Sequence, residues 1–222
     1  MVAIAYLVAL PLAIFSEFYV PSQIVVAGDA AQTVHNLAVH ELLFRAGAGS
    51  TLLVFVVDLV LIAGLYLVLA PVDRPVAVVA ALTRTVETAL GLGVVVDDLA
   101  ALRSLSGMGA FEPLQREALA RFAMAAHVDR YAVALTLAGI GSTLFCWLWL
   151  RSRYVPRALA LLGVAASLLL AAREFTVIVA PALARGVPIV VFGGPIFVFE
   201  LGMGLWLLLR GLKLDQPQLE RT

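Results

Sequence analysis

The chain has one cysteine, three histidines and no net charge among its 222 residues. A lone Cys146 excludes an intrachain disulfide and any metal site built from cysteines alone. It lies beside Trp147 in an apolar run, where a packed thiol is expected. Charge is balanced, with 15 basic and 15 acidic residues, and no basic run marks a nucleic-acid surface. No phosphate loop, dinucleotide fingerprint or Ser-His-Asp order is present. His35, His40 and Glu41 are metal-type side chains, but the two histidines are five apart and not four, so no metal is expected. No cofactor is expected either. The first residues lack the positive n-region of a secretory signal, so the first apolar run is expected to stay as a membrane helix.

What the chain has in excess is apolar surface. Its hydrophobic fraction is 63%, against roughly 45–50% in soluble domains. Windows of about 20 apolar residues predict an all-α, polytopic transmembrane helix bundle in the cell membrane, with about six spans. They cover about 2–20, 51–70, a third following the Pro71–Pro75 turn, 131–150, 158–180 and 188–210. Two short amphipathic helices complete the set. One is N-capped by Asp29, runs through Arg45 and is ended by Gly47 and Gly49. The other runs from Pro113 to about His127, with continuation into the fourth span open. Residues 1–212 read as a single transmembrane domain and 213–222 as a short polar cytoplasmic tail. The densest short basic loop, Arg151 to Arg157, predicts both termini in the cytoplasm.

The chain is organised around residues 80–103, apolar enough to span yet carrying Arg84, Glu87, Asp97 and Asp98. Glu87 and Asp98 are eleven residues apart, close to three helical turns, and share a face. Arg84 precedes Glu87 by one turn, where an ion pair forms. Charges at membrane depth cost roughly 2.5–3.5 kcal/mol each, so they should face protein or trapped water. Seven acids fall inside spans (Glu17, Asp58, Glu87, Asp97, Asp98, Glu174 and Glu200) against two arginines, Arg84 and Arg173. Ionisation of all seven would leave an excess of five negative charges, so some are protonated, lie near an interface, or bind a cation. Asp97 and Asp98 also suit the outer end of the third span. Asp58 and Glu200 read as alone in apolar surroundings. Adjacent Arg173 and Glu174 do not face one another on a helix, so each is expected to seek a partner on another span. Gly91/Gly93 and Gly202/Gly204 read as close helix contacts.

These landmarks resemble a bacterial integral membrane family known only as domain of unknown function 4386. The resemblance rests on Ser16-Glu17-Phe18, Gly28-Asp29-Ala30, Glu41-Leu-Leu-Phe-Arg45, Asp58, Pro71-Val-Asp-Arg74, Arg84 with Glu87, Tyr154-Val-Pro-Arg157 and Phe199-Glu200-Leu201, in that order. It implies a compact multi-span helical protein and supplies no activity.

Three functions suit an intramembrane acid site. The first is an enzyme doing acid-base chemistry on a lipophilic substrate, lipid or isoprenoid, as an isomerase or a terpene cyclase-like catalyst would. Its candidate catalytic residues are Asp58, Glu87 and Glu200, with Arg84, Glu17, Glu41, Arg45, Arg173 and Glu174 positioning substrate or charge. The second is a small proton-coupled transporter or exporter. The third is a lipid-binding or structural membrane subunit. Expected partners are membrane lipids, a lipophilic small molecule or a second copy of the chain; nucleic acid is not expected.

Overall fold

A computed structural model describes residues 1–106, 112–184, 187 and 189–212. Among these residues there is no strand. The elements are α1 (Val2–Ile14), a π-helical segment (Phe15–Tyr19), α2 (Val20–Ile24), α3 (Ala30–Val39), α4 (Glu41–Leu69), α5 (Arg74–Leu105), α6 (Pro113–Ser152), α7 (Arg157–Val179), α8 (Pro181–Ala184) and α9 (Ile189–Arg210). Six stretches are long and apolar enough to cross a membrane: Val2–Ile24, Glu41–Leu69, Arg74–Leu105, Pro113–Ser152, Arg157–Val179 and Val191–Arg210. The multi-pass helical architecture read from composition is the one observed. The tail 213–222 lies outside the described residues, as does most of the connection between the third and fourth spans.

Helix starts follow local chemistry. Asp29 accepts from the Gln32 N–H at 2.8 Å, and Asp73 from the Val76 N–H at 3.3 Å, each satisfying one of the four orphan donors of a first turn. Gly28 precedes α3 at φ +80°, a conformation that a side chain would strain. Pro113 opens α6 behind a Glu112–Gln115 capping box. The amphipathic stretch from Pro113 does continue into the fourth span. The result is one helix of 40 residues, about 60 Å long by its rise per residue.

The first amphipathic helix departs from expectation. It stops at His40 (φ −104°, ψ 32°), and a new helix starts at Glu41 and runs through Gly47 and Gly49 to Leu69. Within apolar surroundings, an unbroken helix keeps every backbone polar group paired, which outweighs glycine's weak helix propensity. Gly47 instead admits a neighbour: a Cβ there would lie 3.1 Å from the Val20 side chain. Glu41 and Arg45 thus belong to the first turns of the second span.

Neighbouring helices pack in the order α1–α4–α5–α6–α7–α9, and α9 returns to α1, closing an up-down ring of six spans. An apolar cluster fills the end nearest the termini, with Tyr6, Leu65, Phe145, Trp149, Phe199 and Met203. A smaller cluster of Val20, Ile24, Leu37, Ala101, Leu102 and Ala123 closes the other end beneath α3. Large apolar side chains such as Leu59, Leu67, Leu82, Val96 and Leu168 point outward, as lipid-facing surfaces require. The buried Asp58, Glu87 and Thr88 lie between the two apolar clusters.

Candidate functional site

Asp58 lies eleven residues before the end of α4, Arg84 ten after the start of α5, and Glu200 ten before the end of α9. At 1.5 Å per residue each sits about 15–17 Å from the same end of the bundle, near the middle of a ~30 Å hydrocarbon layer. Arg84 bridges two helices: Nη2 donates to Asp58 Oδ2 at 3.0 Å, and Nη1 lies 3.3 Å from Glu87 Oε2. Glu87 is 2% exposed, so the guanidinium fork neutralises a fully enclosed carboxylate. Thr88 donates to the Arg84 carbonyl at 2.9 Å. Gly141 on α6 makes room for the arginine, since a Cβ there would come within 2.7 Å of Arg84 Cγ.

Asp58 is therefore not alone, as its apolar flanks suggested; its partner comes from the neighbouring helix. Glu200 is within electrostatic range of Asp58, Arg84 and Glu87, yet among the described residues it forms no hydrogen bond or ion pair. Arg173 and Glu174 also correct their reading, because Nη1 and Oε1 meet at 2.5 Å. Helix geometry separates their Cα–Cβ directions, but the long arginine folds back across that angle. Its guanidinium also lies 4.4 Å from the Phe192 ring centroid. Glu41 and Arg45 pair with each other at 2.7 Å with half-exposed side chains, away from this layer.

A second polar group lies further from the termini, around a cavity of about 230 Å³. Glu17, Thr51, Asp98 and His127 face it among apolar walls that include Ile24, Phe44 and Met124. His127 Nδ1 is 2.7 Å from Asp98 Oδ1, and Glu17 lies close to Tyr131 and within electrostatic range of His127. The neighbouring Asp97 takes Arg130, with Nε–Oδ2 at 2.6 Å. Adjacent acids on α5 thus hold a histidine and an arginine one turn apart on α6. Tyr131 is also within electrostatic range of Glu87 and Asp58 of the mid-depth group.

Glu17 owes its position to the π-helical turn. Such wide turns are uncommon and cluster at functional sites. Pro21 brings no N–H for the carbonyl one turn before it, and at the start of the turn the Leu12 carbonyl accepts the hydroxyls of Ser16 at 3.1 Å and of Ser50, from α4, at 2.9 Å. Sequence reasoning placed Asp98 on the Glu87 face without giving it a site role, and it left out His127, Tyr131 and Arg130. The signal was hairpin register: residues of α5 and α6 equidistant from their connection meet, as 98 with 127, 97 with 130 and 84 with 141 do.

No curated protein and no solved structure matches the chain. A family model does, described as Domain of unknown function (DUF4386), over residues 1–211. With nearly its whole length inside that match, this six-span bundle belongs to the DUF4386 family.

Proposed function

We propose that the chain is a membrane-embedded enzyme that relocates a proton on a lipophilic substrate held in the Glu17–Asp98–His127 cavity. The observation that carries this reading is the coincidence, in one small cavity, of apolar walls with an oriented histidine–aspartate pair and a separate carboxyl. Asp98 holds Nδ1 and leaves Nε2 of His127 to take a proton, while Glu17 gives one from its own helix. An isomerisation or cyclisation of an alkene balances this way: one carbon gains a proton and another loses one. Glu17 is then reset by the proton that His127 collected. Asp58 and Glu87, held by Arg84, form the charged layer behind the cavity, coupled to it through Tyr131. The basic 151–157 loop favours both termini in the cytoplasm, an orientation in which the cavity would lie toward the opposite face.

The test is to fill the cavity without removing an ionisable group. Thr51→Phe is expected to displace any lipophilic molecule that copurifies with the wild-type protein in native mass spectra. It should also cut turnover of that molecule more than 100-fold while the protein still folds. Wild-type occupancy and turnover in Thr51→Phe would rule out the cavity as the site.

A second reading rests on the spread of acids through the bundle. Glu17 near Tyr131, and Glu87, Asp58 and Glu200 nearer the termini, would form a proton relay if hydrogen-bonded water joined them. Substrate flux driven by an imposed pH gradient in proteoliposomes, without chemical change of the substrate, would favour this transporter.

A further inference from the structure

A different feature carries a second site. α1 and α9 pack tightly near the termini, where Gly204 lets Leu7 approach (a Cβ would come within 2.8 Å of it) and Tyr6 meets Phe199 edge-on at 6.3 Å. Further along, both helices contain a proline, Pro11 and Pro195, and a groove of about 500 Å³ remains between them. Its walls are apolar, with Leu10, Ile14, Phe18 and Phe197 among them, and the one carboxyl lining it is Glu200. Ile14, Phe18 and Phe197 are exposed, so the groove opens on the outer surface of the bundle, where lipid would lie.

We propose that this groove binds a lipophilic ammonium ion: a quaternary or tertiary amine on an apolar body. Charge complementarity selects it. Asp58, Glu87 and Glu200 share the mid-depth layer with one arginine, and Arg84 is already engaged by the first two. Glu200 is left as a carboxyl without a hydrogen-bonding or ion-pair partner among the described residues. A cation in the groove supplies the counter-charge that an acid at this depth lacks. Phe18 and Phe197 line the groove, and aromatic rings are groups on which ammonium ions are recognised, the more strongly where apolar surroundings keep water away. Depth also selects the occupant. The ammonium of a membrane phospholipid sits at the interface, about 15 Å from the layer that holds Glu200, so the ligand is a mobile amphiphile able to carry its charge inward. The site is separate from the Glu17 cavity and does not depend on the reaction proposed there.

The test is equilibrium binding of radiolabelled dodecyltrimethylammonium, below its micellar concentration, to the full chain in lipid nanodiscs, with empty discs as background. Saturable binding is expected to weaken at least tenfold in Glu200→Gln and three- to tenfold in Phe197→Leu. It should be retained in Phe197→Tyr and in the exposed-pair variant Glu41→Gln. Dodecanol is expected to compete poorly. Binding no greater than to empty discs, equal competition by dodecanol, or wild-type binding in Glu200→Gln would each overturn the proposal. If Glu200→Gln does not fold, the Phe197 pair decides: equal binding by the leucine and tyrosine variants overturns it.

Discussion

Arg84→Met is expected to be the most destabilising single substitution in the bundle. Removing the guanidinium leaves Asp58 and Glu87 facing each other with no counter-charge, and Glu87 is 2% exposed. Breaking a buried pair by deleting one partner costs about 3–5 kcal/mol, chiefly because the remaining charge is stranded. Thermal unfolding in detergent should register a fall of roughly 10 °C, from the usual relation for chains of this size. Replacing all three residues, as Arg84→Met with Asp58→Asn and Glu87→Gln, should recover most of that loss, since the charge being stranded is gone. Arg84→Lys should fall between, because one ammonium cannot reproduce two separate nitrogens at 3.0 and 3.3 Å from carboxylates on different helices. An Arg84→Met protein as stable as wild type would show that the layer is not held by this bridge.

The largest kinetic effects are expected in the cavity. Glu17→Gln and His127→Asn should each lower kcat by about 10²–10⁴-fold, the usual contribution of a positioned acid or base. KM should move little, because both replacements preserve the cavity's size and polarity. The double variant should be scarcely worse than the poorer single one, as residues acting in one proton circuit are non-additive. Asp98→Asn tests the orientation of the imidazole: the amide can accept from Nδ1–H or donate to a bare Nδ1, which puts the proton on Nε2, and it no longer supports an imidazolium. Its loss should appear in kcat with the protein still folded. A tenfold effect or less in all three variants would end the proton-transfer reading.

The six spans were legible because runs of apolar residues near 20 have few alternatives, and the Arg84–Glu87 pair because it lies within one helix at i,i+3. Pairs between helices were not, since they depend on register. Asp58 looked solitary for that reason, although Arg84 was already recognised as an intramembrane cation 26 residues away. The Asp98–His127 pair was nearer to recovery: assuming that α5 and α6 form an antiparallel hairpin would have set it opposite. The break at His40 and the helix running through Gly47 and Gly49 were misread because glycine was taken as punctuation. In a packed apolar bundle it is a gap that a neighbour fills. Arg173 with Glu174 shows the reverse error, where helical geometry was trusted over the reach of a long side chain.

The wide turn at Phe15–Tyr19 has a consequence for how this family can vary. A π-helical turn is equivalent to one residue inserted into regular winding, so deleting a single residue there would let the helix rewind. Because the wide turn absorbs the extra residue, the helix on either side would keep its facing and only the residues of the turn itself would be re-aimed. The acid would turn toward a different neighbour while every wall of the chamber kept its identity. A one-codon deletion could therefore silence the chemistry and leave the scaffold intact, and a one-codon insertion could create it.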